Sequence, residues 1–335
     1  PSAAEPARSS VVAVTGASSF LGRGLVARLE EDPRVRRVVA LDLEARRPAS
    51  AKTRWHPLDL TEPAAAERAR ELLGSEGVDT LVHLAFLSSP APATAWAHEL
   101  ESVGTMHVLH AARGAGVRKI VLRSLTWLHG AYPTNPNFLT EQHPLRARRA
   151  EPFFADKIAA ETEALAAGGG PEGRVVTILR TAPILGPTVS SFLTRYLSRR
   201  LVPTVLGFDP LWQLLHEADA IAALKLAVDR DAPGTIHVVA DGVLPLSTVV
   251  KLAGRAAVPL PRRLLGAALS GLWVAQLAEA PSAFVDYLQY LCVADGERAR
   301  QALGFVPAYT TREAVLDFAS AQHLRDAHLV AEARP

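Results

Sequence analysis

Gly16 and Gly22 frame the segment GASSFLG, which directly follows the apolar run VVAVT at residues 11–15. A dinucleotide's pyrophosphate needs three small positions after a first strand. One makes the tight turn, one lets the backbone approach the phosphates, and one lets the following helix pack on the strand. Ser19 stands where a middle glycine is expected. Its hydroxyl can bond a phosphate, whereas its Cβ can crowd one, so the loop reads as re-tuned rather than lost. Ser18, Ser19, Phe20 and Leu21 lead into the helix, whose free N–H groups would face an anion. Asp42 ends the next apolar run, 20 residues beyond Gly22. A carboxylate there accepts adenosine ribose hydroxyls and repels a 2′-phosphate, which favours NAD over NADP. The alternative is an ordinary strand-end turn residue, and Arg46 and Arg47 behind it would blunt the preference. Asp59 and Leu60, in LDLT, are candidates for the adenine edge, or Asp59 for a helix cap.

The elements that must position these residues alternate. VVAVT (11–15), RRVVALDL (36–43), RWHPLDL (54–60), DTLVHLA (79–85), RKIVLRSL (118–125) and RVVTILR (174–180) read as strands. Helical patterns fall between them, at 20–31, from Thr61 onward, at 94–114 and at 152–167. Buried strands separated by helices imply an α/β fold with a parallel sheet covered on both faces. The second half is less regular. LVPTVLG (201–207), WQLLH (212–216) and GTIHVVA (234–240) read as short strands. Helices are expected at 217–228, 247–256, 264–278 and 295–303. The organisation read from this is a disordered leader at 1–10, a dinucleotide-binding domain at 11–180, and a smaller C-terminal α/β substrate lobe at 181–330 interleaved with late strands of the sheet.

The bulk numbers exclude several classes. The chain has 335 residues, 49% hydrophobic and 21% charged, with a net charge of +2, so a large core is available and nothing points to nucleic acid. RARR, at 146–149, reads as a solvated loop. Cys292 is the single cysteine, so no internal disulfide forms, which is compatible with a cytoplasmic location. PSAAEPARSS lacks the apolar core of a signal peptide. LLGAALSGLWVAQLA (264–278) is uncharged but falls short of the ~20 residues that span a bilayer. It reads as a buried lobe helix, with a surface-lying membrane helix as the alternative, and membrane association is not expected. No metal site is expected.

Taken in order, TGASSFLG, ALDL, LDLT, LVHLA, LRTAPILGP (179–187), QLLHEADAIAAL (213–224) and DGERARQALGF (295–305) resemble the extended short-chain dehydrogenase/reductases, the NAD-dependent epimerase/dehydratase family. The branch most resembled is the UDP-glucose/galactose 4-epimerase-like one. The resemblance implies a Rossmann-type doubly wound parallel sheet and NAD as cofactor. It implies Leu84 and Ala85 beside the adenine and ribose, and Pro183 near the nicotinamide. His83 matches a frequent family histidine, or is a satisfied strand histidine.

The family's chemistry uses Tyr-x-x-x-Lys on one helix face, with a serine or threonine at the end of the fifth strand. Lys157 matches the lysine, but Phe153 occupies the tyrosine position and Leu125 the hydroxyl position. A one-residue shift would recruit Thr126. His129 and Tyr132 on the following loop are the other candidates for a displaced acid. Two expectations follow. One is an epimerase, dehydratase or oxidoreductase using a non-standard proton donor on a nucleotide sugar, or on an apolar alcohol, as the apolar stretch 258–285 suggests. The other is a degenerate NAD-binding sensor or interaction module. The resemblance also implies a homodimer through helices within 94–114 and 150–167.

Overall fold

The computed structural model describes residues 10–44, 50–148, 150–169 and 173–332, with side chains to residue 325. Most of the expected leader, together with Arg46, Arg47 and the last arginine of RARR, lies outside the described residues. The strands β1 (Ser10–Thr15), β2 (Val35–Asp42), β3 (Thr53–Pro57), β4 (Thr80–His83), β5 (Lys119–Leu125) and β6 (Val175–Thr181) join the strand Gly234–Val238 in one seven-stranded sheet. Its order is Gly234–Val238, β6, β5, β4, β1, β2, β3, and every pairing is parallel. The chain reverses its direction of winding between β1 and β4. That switch point leaves a crevice at the carboxyl ends of the strands.

Strand alternation divides the core. Val12 and Val14 of β1 point to one face, against Leu21, Leu25 and Leu29 of the helix α1 (Phe20–Glu31) and Ala220 and Leu224 of the helix Glu217–Asp229. Val11 and Ala13 point to the other face, against Leu73 of α2 (Ala65–Glu76) and Leu109 and Ala112 further along. A third cluster holds Trp127, Phe153, Phe154, Trp212, Phe284 and Tyr287 beside the crevice.

Four expectations are corrected. The helix expected over 94–114 is three pieces: α3 (Thr94–His98), a wide π turn (Glu99–Val103) and α4 (Gly104–Gly114). WQLLH is two short bridges, because Leu211–Trp212 pairs with Leu244–Pro245 and Leu215–His216 with Ile184–Leu185. The helix expected at 247–256 covers only Leu246–Leu252; Gly254, at φ +70°, turns the chain, and Ala256–Leu260 is a strand parallel to Leu201–Val205. The helix expected at 264–278 as buried is Arg262–Val274, with Leu265 alone buried and Leu264, Leu272 and Val274 exposed. No helix among the described residues is long and apolar enough to cross a membrane.

Candidate active site

The first end of the crevice is built from loop backbone. Gly16 has φ +65°, and a Cβ there would lie 2.7 Å from Leu84 O, so the turn admits only glycine without strain. A Cβ on Gly22 would lie 2.3 Å from Gly16 O, which shows how closely α1 meets the loop. Ser19 is the N-cap of α1, its Oγ accepting from Gly22 N at 3.0 Å. Accepting leaves its hydroxyl proton free to be donated to an anion. The amides of Phe20 and Leu21, in the first turn behind that cap, have no hydrogen-bond partner among the described residues. Ser18 N donates to Asp42 Oδ2 at 2.7 Å, and Leu43 N to Asp42 Oδ1 at 2.8 Å, so the carboxylate is aimed by two amides. Asp59 Oδ1 accepts from Thr61 N and Oγ1 at 2.9 and 2.7 Å, forming a turn ahead of α2 rather than capping it. Gly16, Ser18, Ser19, Asp42, Asp59, Leu60, Leu84 and Ala85 line one cleft of about 970 Å³. Trp96 and Leu100, not foreseen, form its far wall.

His83 supports that floor. Its Nδ1 lies 2.6 Å from Thr15 Oγ1 and its Nε2 3.0 Å from Thr105 Oγ1, tying β1, β4 and α4 together. Complete burial pulls its pKa down to about 3, so it is neutral at physiological pH. Both ring nitrogens are engaged, as in a satisfied strand histidine.

The second end is different. Phe20, Leu125, Trp127, Phe153, Pro183, Ile184, Phe192 and Leu193 line a narrow, mostly apolar cavity. Its hydroxyls are engaged elsewhere. Thr181 Oγ1 donates to Ser124 O at 3.2 Å, Ser88 Oγ to Ser190 O at 3.1 Å, and Ser191 Oγ accepts from Thr194 N at 3.2 Å. Trp127, Phe192 and Leu193 also border a neighbouring cavity of about 620 Å³ lined by Tyr196, Trp212, Phe284 and Tyr287. Arg123 is the charged group on the first cavity's wall.

Lys157 lies on α5 (Pro152–Ala166), one turn after Phe153. Its Nζ is 2.5 Å from Glu101 Oε1 and 4.2 Å from the centre of the Phe153 ring. Glu101, in the π turn, also accepts from Leu87 N at 2.7 Å. Both partners are buried, which raises the Glu101 pKa and lowers that of Lys157, while their mutual attraction opposes both shifts. Asp156 pairs with His98 at 2.6 Å instead.

The displaced-acid candidates take other places. Thr126 is buried and is not on the cavity wall. His129 is fully buried, its Nε2 3.0 Å from His237 Nε2 and its Nδ1 3.3 Å from Pro144 O. Burial, the neighbouring imidazole and Arg180 pull its pKa down to about 3. Tyr132 donates to Arg146 O at 2.5 Å in a surface loop. The structure therefore brings Lys157, Phe153, Leu125 and Pro183 together and leaves His129 and Tyr132 apart from them. Arg123 and Glu101 were not foreseen. Arg123 had a signal, as an arginine inside the apolar strand KIVLRSL. Among the described residues no cluster of His, Cys, Asp or Glu can hold a metal ion.

A doubly wound parallel sheet with a glycine loop at its switch point defines a Rossmann-type nucleotide-binding protein. The chain belongs to the NAD dependent epimerase/dehydratase family, whose model matches residues 12–240. It is 36% identical over 325 residues to an uncharacterized protein of Mycobacterium tuberculosis, covering 92% of this chain and 83% of that one. It is 30% identical over 310 residues to the 3-diazoavenalumate denitrifying reductase of a Streptomyces species, covering 89% and 96%. Among solved structures, MoeE5 in complex with UDP-glucuronic acid and NAD superposes with a TM-score of 0.73 at 22% identity, over 94% of this chain and 100% of that one.

Proposed function

We propose that the chain is an NAD-dependent oxidoreductase acting on a small apolar substrate. The glycine turn, the free amides of Phe20 and Leu21, the Ser19 hydroxyl and the Asp42 carboxylate would hold the pyrophosphate and the adenosine ribose, with Asp59, Leu60, Leu84 and Ala85 around the adenine. Asp42 supports NAD over NADP. When bound, NAD supplies a hydride acceptor, and NADH a donor, at the nicotinamide ring. Lys157 would orient the cofactor's ribose while Glu101 holds its ammonium in place. Pro183 and Leu125 would flank the nicotinamide.

The observation that carries the reading is the second end's wall. It contains no phenol and no imidazole, and it runs into a cavity of Trp, Phe and Tyr rings. Such a surface recognises apolar rings better than a nucleotide sugar. The relative named as a reductase supports the same direction. In carbonyl reduction NADH would supply the hydride for the new C–H bond and solvent water the proton for the oxygen, since Phe153 offers none.

The test is NADH binding followed by turnover with aromatic ketones and aldehydes against UDP-glucose. NADH oxidation with the ring carbonyls, and neither NAD+ reduction nor epimerisation with UDP-glucose, supports the proposal; turnover of the sugar alone overturns it. The Phe153 and Leu125 positions favour a second reading, a binding protein without turnover. In that case the wild type binds NADH without turnover, and the Phe153→Tyr, Leu125→Ser double variant gains activity. Exposed Met106 and Leu165 on α4 and α5 support a homodimer through those helices, checked by analytical ultracentrifugation. The single buried thiol of Cys292 supports a cytoplasmic location.

A further inference from the structure

Arg123 lies on β5 two residues before Leu125, so both side chains leave the same face of the sheet. It lines the cavity at the second end of the crevice together with Leu125, Trp127 and Phe153. Among the described residues no hydrogen bond or ion pair reaches it, and its Nε is buried without a partner. Other buried cations are answered. Lys157 has Glu101, Arg180 has Glu161 at 2.6 Å, and Lys119 has Val228 O, Arg230 O and Asp231.

The nearby carboxylates are engaged elsewhere. Glu101 is held by Lys157 and Leu87 N, and Asp156 by His98, so neither hydrogen-bonds Arg123. Burial lowers the Arg123 pKa to about 10, so it stays charged at neutral pH. Arg123 is half-buried with its Nε shut off from solvent, and a partly desolvated charge without a partner is poised for one of opposite sign. A guanidinium is a planar fork that meets a carboxylate through two parallel hydrogen bonds. The walls around it are apolar rings.

We propose that this cavity takes a planar aromatic acid, with Arg123 receiving its carboxylate and the ring lying along Trp127 and Phe192. This inference rests on the apolar-substrate reading above and narrows it to an anionic substrate class. It would also make Arg123 a determinant of specificity, since a neutral analogue leaves the guanidinium unpaired.

Isothermal titration of the full chain with trans-cinnamate and with neutral trans-cinnamamide tests it. The wild type should bind the acid at least tenfold more tightly than the amide. Arg123→Gln should weaken the acid at least tenfold and leave the amide within twofold, and Arg123→Lys should recover part of the loss. Equal wild-type affinities for acid and amide, no binding of the acid, or an acid affinity unmoved in Arg123→Gln each overturn the inference. NADH binding, followed by its own fluorescence, separates the two levels. Intact NADH and amide binding without acid preference removes this inference alone, whereas loss of both removes the functional reading beneath it.

Discussion

The two ends of the crevice follow opposite rules. The end around Gly16 and Asp42 presents loop amides, a helix N-terminus and two carboxylates held by neighbouring N–H groups. The end around Leu125 and Phe153 recognises through side chains, mostly rings, with its hydroxyls turned to nearby backbone. At the first, the donors facing the cleft belong largely to the backbone and so depend little on side-chain identity. The second is set wholly by side-chain identity.

Four measurements would break or sharpen this contrast. Acid should act most strongly, and at both ends. His83, His129 and His237 are each pulled down to about 3 by burial, against an ordinary 6.5. Between those values the unfolded chain binds protons that the native chain refuses, so stability is complete above about pH 6.5 and falls as pH drops towards 3. Thermal melts from pH 7 to pH 4 should show a loss of several kcal/mol. A flat profile would mean the imidazoles are not held neutral.

Next in size is Lys157→Met. It leaves Glu101 buried and unpaired, which costs about 3–5 kcal/mol in denaturant unfolding, and adding Glu101→Gln should restore much of it. Independent, additive losses would show that the pair does not act as a unit.

Asp42→Ala concerns the other end. Losing a charged acceptor of hydrogen bonds is worth about 1.5–3 kcal/mol, or roughly 10–100-fold in NADH affinity. The preference for NADH over NADPH should narrow at the same time. An unchanged preference would reduce Asp42 to a turn residue.

The smallest effect is at Ser19. Ser19→Ala removes the cap of α1 and should cost about 1 kcal/mol, while Ser19→Gly should cost only a few tenths. Tighter NADH binding in the glycine variant would show that the Ser19 Cβ crowds the phosphates.

Legibility in the sequence divided along the same line. The binding end depends on short-range spacing, so Gly16, Gly22 and Asp42 could be read from their separation and from the strands ahead of them. The reactive end depends on contacts between distant segments. Glu101 meets Lys157 across 56 residues, and Leu125 meets Pro183 across a sheet, and no local pattern announces either. Tertiary packing also overrode periodicity. Ala256–Leu260 contains a proline and reads poorly as a strand, yet it pairs outside the main sheet, where Pro259 is tolerated. His129 drew attention as a loop residue, but a turn of 3₁₀ helix after β5 carries it inward to His237.

The π turn at Glu99–Val103 bears on how insertions and deletions would be tolerated. A wide turn carries more residues per turn than the helix on either side, so it shifts the rotational phase of everything beyond it. Excising a single residue there would let α3 and α4 merge into one regular screw, turned by roughly 100° past the cut. The carboxylate that now steadies the ammonium on α5 would swing away, and the ring stack beside it would lose its electrostatic anchor without any change in the ring residues themselves.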